Sequence, residues 1–371
     1  MATEPAGRGA AVPAESARTR VLHLAGSAET AFLADLSRLY AAGALAAAAD
    51  GPYEHVVAWV EPGGGWRFPA DLSREAVAAA PVVSRAKGLA VLASLEVDVA
   101  LPQMFCRSGM TAYRSLLTDV LRVPTVGNTG DVMAIGAHKQ RARAIVAAAG
   151  VAVPDGEVLR PGDVPTLAPP VVVKPVDADN SHGVTLVREP GEYDAALATA
   201  FEHAGPTQQV LVETYVELGR EVRCGIVERR TDDGVELVCL PLEEYAVDPD
   251  TKPVRDAADK ITRSDDDGTE GGGDLRLMAK DADHAWIVPL DDPAVPAVHE
   301  LARRAHVALG CRDHSLVDVR IDPHGTPYFL EASLYCSFAP SSVVVMMAAS
   351  AGVPLEALLA DQVAAALARG A

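Results

Sequence analysis

The sequence predicts an α/β protein of two or three packed subdomains, and three observations carry that expectation. The chain has 371 residues, more than one small hydrophobic core organises. Hydrophobic residues make up 49% and charged residues 22%, the balance of a chain that folds. Short apolar runs alternate with longer stretches of helical periodicity, the pattern of strands linked through helices.

The opening MATEPAGRGAAVPAESARTR has no apolar stretch of the secretion-signal kind, and residues 1–19 read as a disordered tail. RVLHLAG (20–26) is a short apolar run ending in glycine, and a helical pattern follows through TAFLADLSRLYAAGALAAAA. HVVAWV, SREAVAAA, EVDVALPQMF and RVPTVG continue the alternation. Together they predict a parallel, open α/β unit over 20–125, with ligands beyond the carboxyl ends of its strands.

A second region, 126–212, opens with GNTGDVMAIGAHKQRARAIVAAAGVAVP, where Asp131 is suited to cap a helix that runs to Gly150. The strand PVVVKP, the loop DADNSHGV, the strand TLV and a helix near GEYDAALATAFEHA follow. QVLVETYV begins a third region, 213–371. Between about 246 and 285 the chain turns acidic, Gly-rich and non-periodic, which reads equally as an active-site lid and as a surface insertion. AVPAVHELARRAHVALGC is an amphipathic helix ending at Gly310. SLVDVRID and PYFLEAS, joined by PHGT, form a hairpin pattern, and two helical stretches close the chain.

The net charge of −19, from 51 acids against 32 bases, argues against nucleic acid or an anionic membrane as partner and leaves room for a local basic pocket. No apolar run approaches the length of a membrane span. The five cysteines form no CxxC pair and no His-linked metal spacing, and their odd number points to reduced thiols in the cytosol.

Two features carry chemistry. Lys174 ends an apolar strand directly before a glycine-containing loop, where a compact cation reaches a phosphate and Gly183 lets the loop backbone approach. A lysine at a strand end is most often structural, and the GxxxxGK[ST] phosphate loop is absent. Asp318 and Glu331 are carboxylates within apolar strands, costly unless compensated. Magnesium with nucleotide phosphates supplies such compensation, and an outward-facing edge hairpin is the competing reading.

Taken in order, Lys139 after GNTGDVMAIGAH, Lys174 in VVVKP, the stretch VLVETYVELGRE, then Asp318 and Glu331 resemble the ATP-grasp ligases, and among them the D-alanine–D-alanine ligase branch. The likeness covers most of residues 20–371. It implies an α/β ATP-grasp fold with an N-terminal Rossmann-like (pre-ATP-grasp) domain, and ATP with one or two Mg²⁺ ions, Mn²⁺ being an alternative. By the resemblance Lys139 and Lys174 contact phosphates, and the loop of Ser181, His182 and Gly183 folds over them. Glu213 and the backbone of Val216 meet adenine, and Glu221 binds the ribose. Asp318 and Glu331 hold the metal. Ser333 stands at the position where the family carries a metal-binding Asn. Lys260 is the implied lid lysine, with Lys280 as the alternative. Ser337 falls where a backbone amide faces the oxyanion, and Ser342 where a serine holds the carboxylate of the incoming amino acid. Ser27 and Glu29 fall where family members hold a substrate amine, although Glu29 is equally a helix-start acid. Arg107 and Tyr113 follow a predicted strand and are candidates for the pocket lining.

The chain departs from the family at Ser333, at Leu316, where an arginine stabilises the tetrahedral intermediate, and in LYCSFAPSS, which lacks the usual glycine. These departures imply an acyl substrate other than D-alanine, with an amino acid as amine donor. Four segments, among them LPQMFCRSGMTAYRSLL and KPVDADNSHGVTLV, are similar to the ligases that join amino acids to mycosporine-glycine, where a phosphorylated enaminone oxygen leaves and an imine forms. The expectation is therefore a cytoplasmic, homodimeric, ATP-dependent carbon–nitrogen ligase of natural-product biosynthesis, acting on a small acyl or enaminone substrate and an amino acid. A D-alanine–D-alanine or other dipeptide ligase is the alternative. A catalytically degenerate nucleotide-binding regulator is the alternative from another class.

Overall fold

A mainly parallel sheet opens the fold, and most apolar residues of its central strands are buried. The computed structural model describes residues 18–178, 181–248, 261–263, 275–277 and 284–370. In it β1 (Thr19–Gly26) buries its last six residues. The sequence-predicted tail therefore ends one residue late, and residues 1–17 lie outside the described residues. Next come α1 (Ala31–Ala48), β2 (Tyr53–Val60), β3 (Trp66–Arg67), α2 (Arg74–Ala79), α3 (Arg85–Ser94) and β4 (Val99–Pro102). Two short helical turns, α4 (Arg107–Met110) and α5 (Ala112–Ser115), complete the unit. The strand order is β3-β2-β1-β4; β1 runs parallel to β2 and β4, and β3 is an antiparallel edge. RVPTVG adds a single bridge between Ala100 and Thr125 rather than a strand.

Two details position this unit. Gly88 on α3 lies against the buried Trp66 indole, and a Cβ there would come within 2.3 Å of the ring. By length and composition α1 is apolar enough to cross a membrane, an exception to the sequence-based expectation. Its Ala34, Leu36, Ala41, Ala44 and Ala48 are buried in the fold.

The single helix predicted from Asp131 is two helices, α6 (Gly130–Gly136) and α7 (Lys139–Ala148). Thr129, not Asp131, caps α6, and its hydroxyl accepts from the Val132 N–H. Asp131 occupies the first turn, where an acid favours the helix dipole. The break places the Lys139 N–H 2.8 Å from the Val176 carbonyl, which ties α7 to the chain just past a strand end. That strand belongs to an antiparallel sheet made of β5 (Gly156–Leu159), β6 (Val171–Pro175), β7 (Thr185–Val187) and β8 (Val210–Thr214), in the order β5-β8-β6-β7. Helix α8 (Tyr193–His203) packs on it through Tyr193, Ala196 and Ala200. The 212/213 boundary read from the sequence falls inside β8.

The remaining elements are β9 (Arg220–Thr231), β10 (Gly234–Cys239), β11 (Glu243–Tyr245), the paired β12 (Ile261–Arg263) and β13 (Leu275–Leu277), β14 (Ala285–Ile287), α9 (Val295–Ala308), β15 (His314–Ile321), β16 (Pro327–Ser333), α10 (Val343–Ser350) and α11 (Leu355–Arg369). Their main sheet runs β14-β11-β9-β15-β16, with β10 on β9, and the predicted hairpin is β15–β16. Helix α9 buries Val295, Val298, Leu301, Ala302 and Ala305 in the largest core cluster. Of the acidic stretch 246–285, residues 249–260, 264–274 and 278–283 lie outside the described residues, and Lys260 and Lys280 with them.

Asn128 joins distant parts of the chain. Its Nδ2 donates to the carbonyls of His314 (3.0 Å) and Leu334 (2.7 Å), and its Oδ1 accepts from the Arg312 N–H (2.8 Å). Beside it the buried Arg114 guanidinium donates to the carbonyls of Val126, Asn128 and Pro102. All five cysteines are free thiols.

Candidate active site

Strand periodicity of two puts Glu221 and Arg223 on one face of β9, and Asp318 and Arg320 on one face of β15. The strands are antiparallel, with Asp318 opposite Arg223 and Arg320 opposite Glu221. An E-x-R pattern thus meets a D-x-R pattern head to tail, and each acid faces a cation. The Arg223 Nε lies 2.6 Å from Asp318 Oδ1, and Arg320 Nη2 lies 2.5 Å from Glu221 Oε2. Burial pulls the Arg223 guanidinium down, but Asp318, Tyr245 and Glu243 outweigh that effect and hold it well above its ordinary value. Its guanidinium also lies 5.0 Å from the centre of the Tyr245 ring.

On the other side of β15, Glu331 pairs directly with Asp318, so both carboxylates project from one face of the hairpin. Lys139, at the start of α7, reaches Glu331 at 3.2 Å and also donates to the Ala178 carbonyl at 2.6 Å. Lys174, the last charged residue of β6, lies 2.5 Å from Glu213 on the neighbouring β8, and Arg143 lies 3.4 Å from the same carboxylate. Both Lys174 and Glu213 are buried.

Several of these groups line a cavity of about 100 Å³ between the two antiparallel sheets, while Arg143, Arg223, Glu243 and Tyr245 lie behind its wall residues. Lys139, Lys174, Ser181, His182, Glu213, Val216, Glu221, Asp318 and Glu331 all contribute to its wall. Ser181 and Gly183 have positive φ, +59° and +72°, so the loop after β6 turns sharply over the cavity. His182 is exposed and its ring lies 5.8 Å from that of His203. The Val216 carbonyl accepts from Arg320, whose guanidinium sits 5.3 Å from the centre of the Tyr215 ring.

A second cavity, of about 210 Å³, adjoins the first and shares Lys139, Ala178 and Glu331 with it. Ser333 lines this second cavity rather than the first, as do Glu29 and Arg107. The Glu29 carboxylate accepts from both the N–H and the hydroxyl of Ser108 at 3.0 Å. Ser337 and Ser342 are drawn together, Oγ to Oγ at 2.5 Å, in a buried loop that lines neither cavity. Burial pushes the Cys336 thiol up to about 12, so it carries no nucleophile at neutral pH.

Arg143, Arg223, Arg320 and Tyr215 were absent from the sequence-based site. The signal that would have found the middle two is the repeated acid-x-Arg spacing, which gains meaning only once the strands are known to pair. The chemistry of the donor set fits a hard divalent cation: Asp318 and Glu331 offer carboxylate oxygens to a cavity that Lys139 and Lys174 also line. Among the described residues no group of three or more His, Cys, Asp and Glu side chains is arranged to hold a metal.

The family model described as D-ala D-ala ligase C-terminus matches residues 162–255 and 278–364. A D-alanine–D-alanine ligase of Methylorubrum populi is 32% identical over 270 residues, covering 71% of this chain and 79% of that protein. Another, from Mycolicibacterium paratuberculosis, is 33% identical over 287 residues, 76% of this chain and 72% of that one. The crystal structure of the VanG D-Ala:D-Ser ligase from Enterococcus faecalis superposes with a TM-score of 0.71 at 21% identity, covering 94% of this chain and 99% of that chain. A D-alanine–D-alanine ligase from Bacillus anthracis complexed with ATP gives a TM-score of 0.66 at 19% identity, covering 95% and 98%. At these identities the structural likeness speaks for the fold.

Fold, site and relatives together define an ATP-grasp, ADP-forming ligase. Within that class, the chain belongs to the D-alanine–D-alanine ligase family. The relatives' names match the dipeptide-ligase alternative more closely than the natural-product reading.

Proposed function

We propose that the chain joins an amino acid, through its amine, to an oxygen-bearing carbon of a second small substrate, using ATP to activate that oxygen. The observation that carries this reading is the convergence of Lys139, Lys174, Asp318 and Glu331 on one cavity, with a second cavity opening at the Lys139–Glu331 pair. The substrate oxygen forms a bond to the γ-phosphorus as the bridging P–O bond breaks, and ADP leaves with the electron pair. The amine then attacks the activated carbon, phosphate departs with the C–O electrons, and the nitrogen gives up a proton.

The protein contributes position and charge. Lys139 and Lys174 neutralise phosphate oxygens, and the loop at 181–183 excludes water that would hydrolyse the phosphorylated intermediate. Asp318 and Glu331, with Ser333 as a neighbouring hydroxyl, would hold Mg²⁺, which would supply Lewis-acid stabilisation of the transferred phosphoryl group. Glu213 and the Val216 carbonyl suit the adenine end of the cavity, and Glu221 suits the ribose.

Dipeptide formation of the D-alanine–D-alanine type is the version the named relatives favour. A second version, phosphorylation of an enaminone oxygen with imine formation, is favoured by Leu316. That side chain is buried in an apolar cluster at the position where the resemblance leads one to expect arginine. ADP release with Mg²⁺, ATP and a panel of amino acids, with and without mycosporine-glycine, tests both. Stimulation by D-alanine alone selects the dipeptide ligase, and stimulation that requires mycosporine-glycine selects the imine-forming version. Absence of Mg²⁺-dependent ATP binding in calorimetry would sink the ligase reading itself.

A further inference from the structure

Helix α9 lies over two thiols that the ligase chemistry does not use. Cys239 ends β10 opposite Ile226 of β9, and Cys224 stands two residues from Ile226 on the same face. The two cysteines are therefore diagonal neighbours across one antiparallel pair of strands. Their sulfurs hydrogen-bond to each other, and the Cys239 thiol also reaches the His299 carbonyl of α9 at 3.6 Å. Cys106, Cys224, Cys311 and Cys336 are buried, whereas Cys239 is half-buried and within reach of a small oxidant. The bond from Cys224 holds the Cys239 thiol below its ordinary value; Arg303 adds to that effect, and burial and Glu300 oppose it. The same bond, together with burial, raises Cys224 and keeps its proton in place. A partly exposed thiol that ionises readily, with a second thiol in contact, is the arrangement of an oxidant-sensitive pair.

The pair adjoins the metal-binding carboxylate through one residue. Arg223 precedes Cys224 and by strand alternation projects from the opposite face of β9, where its Nε lies 2.6 Å from Asp318 Oδ1. Gly225 follows, and its carbonyl accepts the Leu240 N–H at 2.8 Å, which fixes the end of β10. Diagonal neighbours lie about 7–8 Å apart at Cα, slightly beyond the roughly 4.4–6.8 Å that a disulfide bridges. Closing the bond therefore draws β9 and β10 together at Cys224, and the backbone of Arg223 moves with it.

We propose that Cys224 and Cys239 form a redox-responsive pair that hydrogen peroxide closes into a disulfide, and that closure loosens the hold of Arg223 on Asp318. The consequence at Asp318 rests on the ligase reading above; the thiol pair does not. The Cys239 thiolate attacks one peroxide oxygen, the O–O bond breaks, and the departing oxygen takes a proton and leaves as water. The Cys224 sulfur then attacks the sulfenic sulfur, the S–O bond breaks, and a second water leaves with the Cys224 proton. Two thiols lose two electrons in all, and one peroxide gains them.

The test treats the reduced full-length chain with hydrogen peroxide, maps its peptides by mass spectrometry without reduction, and measures Mg²⁺-ATP affinity by calorimetry. A Cys224–Cys239 cross-linked peptide and at least fivefold weaker binding are expected, both reversed by dithiothreitol. Cys239→Ser is expected to bind as the parent does before and after peroxide. Cys239 left reduced, or oxidised without linkage to Cys224, overturns the pair. Unchanged affinity in the cross-linked protein, or weakening that persists in Cys239→Ser, overturns its control of the site. Should Cys239→Ser not fold, Cys224→Ala supplies the same comparison. In Arg223→Met, which already lacks the contact with Asp318, oxidation is expected to change affinity less than twofold; a further fivefold fall overturns the route through Asp318. If the reduced parent binds no Mg²⁺-ATP, the ligase reading and the consequence at Asp318 fall together, while the cross-linked peptide still decides the pair.

Discussion

Lys174 and Glu213 hold each other on neighbouring strands, and Arg143 stands by as a second partner for the carboxylate. Removing the lysine therefore leaves Glu213 with one cation, which limits the penalty of an unpaired buried charge. Lys174→Ala and Glu331→Ala are each expected to lower ADP release by about 10²–10³-fold, the cost of deleting one transition-state charge stabiliser, with an unchanged far-UV spectrum. Turnover near the parent level in either variant would remove the ligase mechanism proposed above. At this scale residue type and order singled out Lys139, Lys174, Asp318 and Glu331, which the fold brings to one cavity. Arg223 and Arg320 were not readable, because their meaning lies in the β9–β15 register, which brings together residues 95 and 99 positions apart. Ser337 and Ser342 matched by position alone, and the folded loop turns them toward each other.

Most elements were legible because period and punctuation agree: alternation in the hairpin β15–β16, the amphipathic face of α9, and glycine after its end. The break between α6 and α7 was not, since it arises from a tertiary contact of the Lys139 N–H with the Val176 carbonyl. Close packing at a glycine is likewise invisible in one sequence. Gly88 sits where α3 rides on the Trp66 ring, and a methyl group there must displace a fully buried indole. Gly88→Ala is expected to destabilise the protein by about 1–3 kcal/mol, despite the better helix propensity of alanine, because it overpacks the site. Urea unfolding checks this, and a gain in stability would show that the indole moves at little cost.

For the molecule as a whole, burial keeps several histidines neutral. Desolvation lowers His23 to about 3, with His55 adding to the effect, and lowers His314 to about 4. Burial also lowers His55, His138 and His299. A folded-state value below the unfolded one means the unfolded chain binds more protons as pH falls. Stability is therefore complete above roughly pH 6.5 and is lost progressively toward pH 4. Thermal unfolding is expected to shift downward between pH 7 and 5. His314→Gln, which takes away one of the deepest contributors, is expected to flatten that slope. An unaltered slope would assign the effect to other groups.

The hydrogen bonds of Asn128 reach forward 186 residues to His314 and 206 to Leu334. During synthesis the segment that closes the first α/β unit is thus made long before the groups that satisfy its amide. Until the final hairpin emerges, that amide has only solvent to bond. Local helices and the parallel strands of the first unit can assemble early, whereas the seam at Asn128 is among the last contacts to close. A nascent chain stopped before residue 312 lacks all three partners, so synthesis of the β15–β16 hairpin, rather than of the N-terminal half, is the event that closes this seam.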